Sequence, residues 1–325
     1  MAASPSIAPT RREGIEIRPH RIEPAYENPE GLIEAVKRAG PYRTIYAEEG
    51  YSMTAHWPTF RAYWTPTPGK PLNDEVEPFF SNPVFIENAK KAYDAKIVRP
   101  FRLVVNLSIP SPGLPAHCDF ANYRGIGAEP TWLCNIMSIS GLFKRWEIQI
   151  ASGLAWFYNG EGGEFRYWPD GPEKPAHSEK APFWNRGIIG DNEYTWHQVC
   201  HVGDPDNYLD RSKVTAECLL QWENERWNVI EGGEILESFP FDKVRIMTLW
   251  KANIFKDEKE AAIFDQHDND LDYHTAFQML TDDLRKRGHK SEDPSDPMND
   301  LEWRKLLYSV YTRSDTPVDI ETAPS

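Results

Sequence analysis

Gly162-Gly163-Glu164-Phe165-Arg166-Tyr167-Trp168-Pro169-Asp170-Gly171 reads as a tight turn, a short strand and a second turn. Similar short β-type runs lie on both sides: Phe101 to Ile109, Trp132 to Ile139, Gly187 to Ile189, Tyr194 to Val199 and Val214 to Trp222. Gly, Pro, Asn and Asp punctuate them, and no helical pattern intervenes. Many short strands joined this way predict a barrel or a double-sheet jelly roll, which we place at residues 97–255. The flanks read differently. Residues 15–96 are Pro-rich and helical, with Leu32, Ile33 and Val36 on one face and a second helix over Ile86 to Lys96. Residues 256–312 are helical again. There Tyr273, Phe277, Leu280 and Leu284 recur at helical spacing with Gly288 as C-cap, and Trp303, Leu306, Leu307 and Val310 mark a last helix. The fold expected is thus mainly β, with a jelly-roll core packed by N- and C-terminal helices. The C-terminal helices either cover the barrel or form the face of a homodimer. Residues 1–14 and 313–325 are expected to be disordered tails.

Composition narrows the function. Of 325 residues, 40% are hydrophobic, so a sizeable core is available and disorder of the whole chain is excluded. The net charge of −14 repels phosphate backbones and anionic lipid heads, so neither nucleic acid nor membrane is an expected partner. Cys118, Cys134, Cys200 and Cys218 form no C-x-x-C pair. With no apolar leader or spanning run, a cytoplasmic protein with free thiols is the simplest reading.

The chemistry concentrates in Pro115-Ala116-His117-Cys118-Asp119-Phe120. On an extended chain, positions i and i+2 share a face. His117 and Asp119 would point into one interior, with Cys118 turned away. A second imidazole is available 80 residues later, at His197 in Asp191-Asn192-Glu193-Tyr194-Thr195-Trp196-His197-Gln198-Val199. Two imidazoles and one carboxylate on one side of an iron leave three positions open for oxygen and a chelating cosubstrate. An H-x-D triplet arises by chance about once in such a chain, so its context carries the weight. Here it closes a β run, a Gly-Gly-Glu strand follows, and His197 follows an Asp-Asn turn. Arg211-Ser212 stands fourteen residues beyond His197.

This order of H-x-D, Gly-Gly-Glu strand, distal His and then Arg resembles the Fe(II)/2-oxoglutarate-dependent dioxygenases over residues 100–222. The resemblance implies a double-stranded β-helix in which His117, Asp119 and His197 hold Fe(II). It also implies that Arg211, with Ser212, holds the far carboxylate of 2-oxoglutarate. The family more often has Ser or Thr two residues after that Arg, where this chain has Lys213, so Lys213 stands as a rival anchor. A guanidinium is suited to the task, because its fork takes both carboxylate oxygens at once. The activity implied couples oxidative decarboxylation of 2-oxoglutarate to succinate, using O2, with oxidation of an unactivated C–H bond in a small-molecule substrate. The presence of Asp119 favours hydroxylation, desaturation or ring chemistry over halogenation, since halogenating relatives lack that carboxylate.

Asn122 and Arg124 follow the H-x-D pair on a segment expected over the metal, where substrate contacts are often made. Trp132, Asn135 and Trp156 are candidates for lining the interior. His201, four residues after His197, suits an outer partner better than a ligand. Asp265 to Asp272 lacks the Gly and the acid of a calcium loop. Two other function classes stay open: a cupin-like metal enzyme independent of 2-oxoglutarate, which would not need Arg211, and a non-catalytic binding barrel with structural histidines.

Overall fold

The computed structural model describes residues 17–45, 59–210, 213–289, 292–313 and 317. The tails expected to be disordered fall outside these residues, apart from Arg313 and Pro317. In chain order the strands are β1 (His20–Ile22), β2 (Tyr42–Thr44), β3 (Thr59–Tyr63), β4 (Ile97–Ser108), β5 (Asn122–Tyr123), β6 (Glu147–Tyr158), β7 (Phe165–Trp168), β8 (His177–Glu179), β9 (Phe183–Gly190), β10 (Trp196–Val199), β11 (Leu219–Glu223), β12 (Arg226–Glu231), β13 (Glu234–Phe239) and β14 (Arg245–Phe255). The helices are α1 (Pro29–Arg38), α2 (Glu77–Phe80), α3 (Pro83–Tyr93), α4 (Thr131–Ser140), α5 (Glu258–Asp265), α6 (Tyr273–Lys286) and α7 (Leu301–Val310).

All pairings are antiparallel. The larger sheet runs β1-β9-β6-β14-β4-β3-β2-β11-β12-β13, and β5 pairs with β6 off this path. A smaller sheet runs β10-β7-β8. Alternation along the central strands explains how the larger sheet is buried on both sides. On β14, Ile246, Trp250, Ala252 and Ile254 enter one core with α1, α2 and α3. The alternate residues Met247 and Leu249 face a second core, where Leu154, Trp156 and Tyr158 of β6 meet Phe165 and Tyr167 of β7. That second core joins the two sheets, and the metal-ligand candidates lie at its rim.

The helices anticipated from periodicity are present as α1, α3, α6 and α7. Asn82 caps α3 by accepting from the Val84 amide at 3.0 Å, with Pro83 in the first turn. Gly288 follows α6 with a φ of 86°, as a C-cap glycine should. Two expectations are corrected. Trp132 to Ile139 is the helix α4, not a strand. Eight of its ten residues are buried, so no apolar stripe distinguished it from a buried strand; Pro130 and left-handed Gly141 set its ends. The N-terminal flank is also not purely helical. Its strands β2 and β3 lengthen the larger sheet and link it to the meander β11-β12-β13. Among the described residues, no helix is long and apolar enough to cross a membrane, and none of the four cysteines is in a disulfide.

Candidate metal centre

His117 and His197 sit opposite each other on an isolated antiparallel bridge. Each backbone amide donates to the other residue's carbonyl, both at 2.9 Å, and the rings lie 4.4 Å apart. The two imidazoles are oriented in the same way. His117 Nδ1 is 2.9 Å from the Pro115 carbonyl, and His197 Nδ1 is 2.9 Å from the Thr195 carbonyl. A carbonyl oxygen can only accept, so each Nδ1 carries a hydrogen, and Nε2 is the nitrogen left to bind a metal. Asp119 is fixed by its amide, which donates to the Asn192 carbonyl at 2.9 Å. Its Oδ1 lies 3.8 Å from His197 Nε2. One ligand atom from each of the three residues falls within 4.8 Å of the others.

The other oxygen of Asp119 is already engaged. Lys251, on the inner face of β14, donates to Asp119 Oδ2 at 2.7 Å and to Glu193 Oε1 at 2.6 Å. Burial alone would raise the Asp119 carboxyl, but the Lys251 ammonium and the two imidazoles outweigh it and hold it well below the usual carboxylate range. Burial acts the other way on Lys251, and its two carboxylate partners overcome that and raise it. Glu193 is raised, because burial and the nearby Asp119 exceed the help from Lys251. Burial, with His117 beside it, lowers His197 to about 4, so its imidazole is neutral at physiological pH, the form that binds metal. Two imidazoles anchored through Nδ1, that of His197 held neutral, and one ionised carboxylate suit a divalent iron. Replacing His197 by Ala should weaken Mn(II) or Co(II) binding by more than about 100-fold, the upper range for losing a mere outer partner. Titration calorimetry on a variant with an unchanged circular dichroism spectrum would measure it.

No family model matches the sequence, and neither does any curated protein. Solved structures do match. A 2OG-Fe(II) oxygenase family protein from Burkholderia pseudomallei is 10% identical with a TM-score of 0.40, covering 73% of this chain and 86% of that one. A prolyl hydroxylase from Trichoplax adhaerens is 12% identical with a TM-score of 0.41, covering 75% and 86%. HygX from Streptomyces hygroscopicus is 8% identical with a TM-score of 0.39, covering 74% and 84%. The resemblance is to the 2OG-Fe(II) oxygenases.

The remaining candidates fare unevenly. Arg211 and Ser212 lie outside the described residues. Lys213 is exposed, and its amide donates to the Asp210 carbonyl. Asn122 is buried on β5. Arg124 is engaged by Asp270 at 3.2 Å and by the Asp268 carbonyl at 2.6 Å. Trp132 is packed away from the core that joins the two sheets, against Phe277 and Trp303 with the Arg304 guanidinium over its ring. Trp156 does line the interior, between Phe165 and Phe183. His201 is exposed and outside the triad, and its carbonyl accepts from the Gly163 amide.

The residue that sequence reasoning missed is Arg245, at the start of β14. It is 1% exposed. Its Nε donates to the Gly163 carbonyl at 2.9 Å, its guanidinium lies over Phe183, and its Nη2 has no partner. Burial lowers it to about 10, so it is still a cation at neutral pH. A side chain at residue 163 would meet Tyr158 at 2.9 Å and Arg245 at 3.0 Å, and φ is 71° there, so the Gly-Gly turn is what lets this guanidinium fit. The one sequence signal available was the Gly-Gly turn itself.

Proposed function

We propose that this chain is an Fe(II)/2-oxoglutarate-dependent oxygenase acting on a small molecule, built on a double-stranded β-helix core at residues 97–255 with flanks at 15–96 and 256–312. The observation that carries the reading is the convergence of His117, Asp119 and His197 with both Nε2 atoms free and one carboxylate oxygen unengaged. When bound, Fe(II) with 2-oxoglutarate and O2 supplies an oxidant for an unactivated C–H bond, the cosubstrate leaving as succinate and CO2. The protein's own part is positional. His117 and His197 present fixed lone pairs. Lys251 takes Asp119 Oδ2 and leaves Oδ1 for the metal. The apolar wall of Met247, Leu249 and Leu154 excludes water from the interior.

Arg245 supports the cosubstrate assignment. A buried guanidinium with an unpartnered N–H calls for an anion. No carboxylate within salt-bridge distance supplies one among the described residues. Arg245 and Lys251 stand on one face of β14, six residues apart. A dicarboxylate reaching from the metal toward Arg245 would satisfy that charge. We therefore assign the anchor to Arg245 in place of Arg211, Ser212 or Lys213. A cupin-like enzyme independent of 2-oxoglutarate leaves this guanidinium without a purpose.

Succinate formation tests the reading. With Fe(II), ascorbate and air, the purified protein should convert 2-oxoglutarate to succinate slowly even without substrate, and Asp119→Ala should not. Absence of succinate from wild-type protein with full Fe(II) occupancy would sink the proposal.

A further inference from the structure

Beside the metal centre, on the same face of the larger sheet, stand three residues with no assigned task. The register of β3, β4 and β14 places them. Arg102 is directly opposite Lys251, the residue that touches Asp119. Arg61 is opposite Asn106, and Tyr63 opposite Val104. Opposite residues of an antiparallel pair point to one face, about 4.5–5.5 Å apart at Cα. That face is the barrel interior, since Asn106 reaches Met247 Sδ at 3.9 Å and Met247 packs on the core shared with β7.

The chemistry of the three is distinctive. Tyr63 is 49% exposed, a large ring left open beside the interior. The Arg61 and Arg102 guanidiniums lie 5.8 and 5.7 Å from its centroid. Arg61 has the neutral Asn106 amide as its partner, Nε to Oδ1 at 2.7 Å. Neither arginine forms a salt bridge with a carboxylate among the described residues. In a chain of net charge −14, where Arg21, Arg99, Arg124 and Arg186 have acidic partners, these two guanidiniums without one flank a single ring. Guanidiniums are weakly hydrated forks matched to oxyanions, and a tyrosine ring offers a flat surface for stacking.

We propose that Arg61, Tyr63 and Arg102 form a subsite that takes a flat group carrying an oxyanion, a carboxylate or phosphate, on the primary substrate. As a substrate site it rests on the oxygenase reading. As an oxyanion site it does not. Lys251 is already neutralised by Asp119 and Glu193, so the two arginines supply the open charge, Arg102 on the strand next to Lys251 and Arg61 one strand beyond it.

Three probes test it: benzoate, phenyl phosphate and neutral benzyl alcohol. Binding is measured by calorimetry on Mn(II)-loaded protein in excess 2-oxoglutarate, so that Arg245 is occupied. Wild-type protein should bind one or both oxyanions, more weakly as salt rises, and should not bind benzyl alcohol. The double variant Arg61→Gln/Arg102→Gln should lose this binding by about tenfold or more, the effect of removing charge-assisted hydrogen bonds. Its affinity for 2-oxoglutarate and its thermal midpoint should be unchanged. Equal oxyanion binding by variant and wild type, or benzyl alcohol binding as well as benzoate, would overturn the subsite. If the oxyanions behave as expected but wild-type protein binds no 2-oxoglutarate, the oxyanion site stands and the oxygenase reading falls.

Discussion

Replacing Lys251 by Met is expected to lower the unfolding free energy by about 3–5 kcal/mol, the range for removing one partner from a buried ion pair. The side chains of Lys251 and Glu193 are 11% and 4% exposed, so the Glu193 carboxylate left behind cannot recruit water freely, while that of Asp119, at 23%, is only partly open. Two acids, Asp119 and Glu193, would then face each other with no cation between them. Mn(II) should restore part of the loss by supplying positive charge at Asp119, and Glu193→Gln added to Lys251→Met should restore part without metal. Urea melts of the three proteins, with and without metal, measure this. A loss below about 1 kcal/mol would mean that the pair behaves as an exposed one and that Lys251 does not set the geometry of Asp119.

Arg245→Met is expected to separate binding from folding. Truncating one partner of a buried charge pair costs a complex about 2–5 kcal/mol, which is about 30-fold to several thousandfold in affinity for 2-oxoglutarate. The folded protein itself should hold its stability. The substitution removes a buried cation with an unpartnered Nη2 and leaves a thioether against Phe183 and Tyr158. Calorimetry of 2-oxoglutarate on Mn(II)-loaded protein, beside a melting curve, reads the two effects independently. If Arg211→Ala or Lys213→Ala abolishes binding and Arg245→Met does not, Arg245 is not the anchor.

The triad was legible because it depends on local rules. The i, i+2 relation of His117 and Asp119, and an imidazole on a later short strand, are both visible in a linear chain. Strand alternation also made the main β runs readable at β4, β7, β9 and β10. What could not be read depended on long-range pairing. The meander β11-β12-β13 separates β10 from β14, so Arg245 stands 48 positions after His197, and no spacing rule points across that insertion. Lys251 and Glu193 are ordinary charged residues in sequence. Only the register of β14 brings one of them onto Asp119. Trp132 misled for the opposite reason: a helix buried on every side has no polar face to give it away.

The reciprocal backbone hydrogen bonds between His117 and His197 have a bearing on which ion the protein carries. Residues far apart in the chain are joined by main-chain contacts that exist whatever occupies the centre, so loading an ion requires little ordering of the polypeptide. A centre assembled in advance gains affinity for every divalent transition ion alike, and intrinsic preference then follows the order in which copper, nickel and zinc outrank ferrous iron. Identity of the bound ion would be decided by supply inside the cell, and protein purified through nickel resin should be stripped with chelator before its native ion is judged.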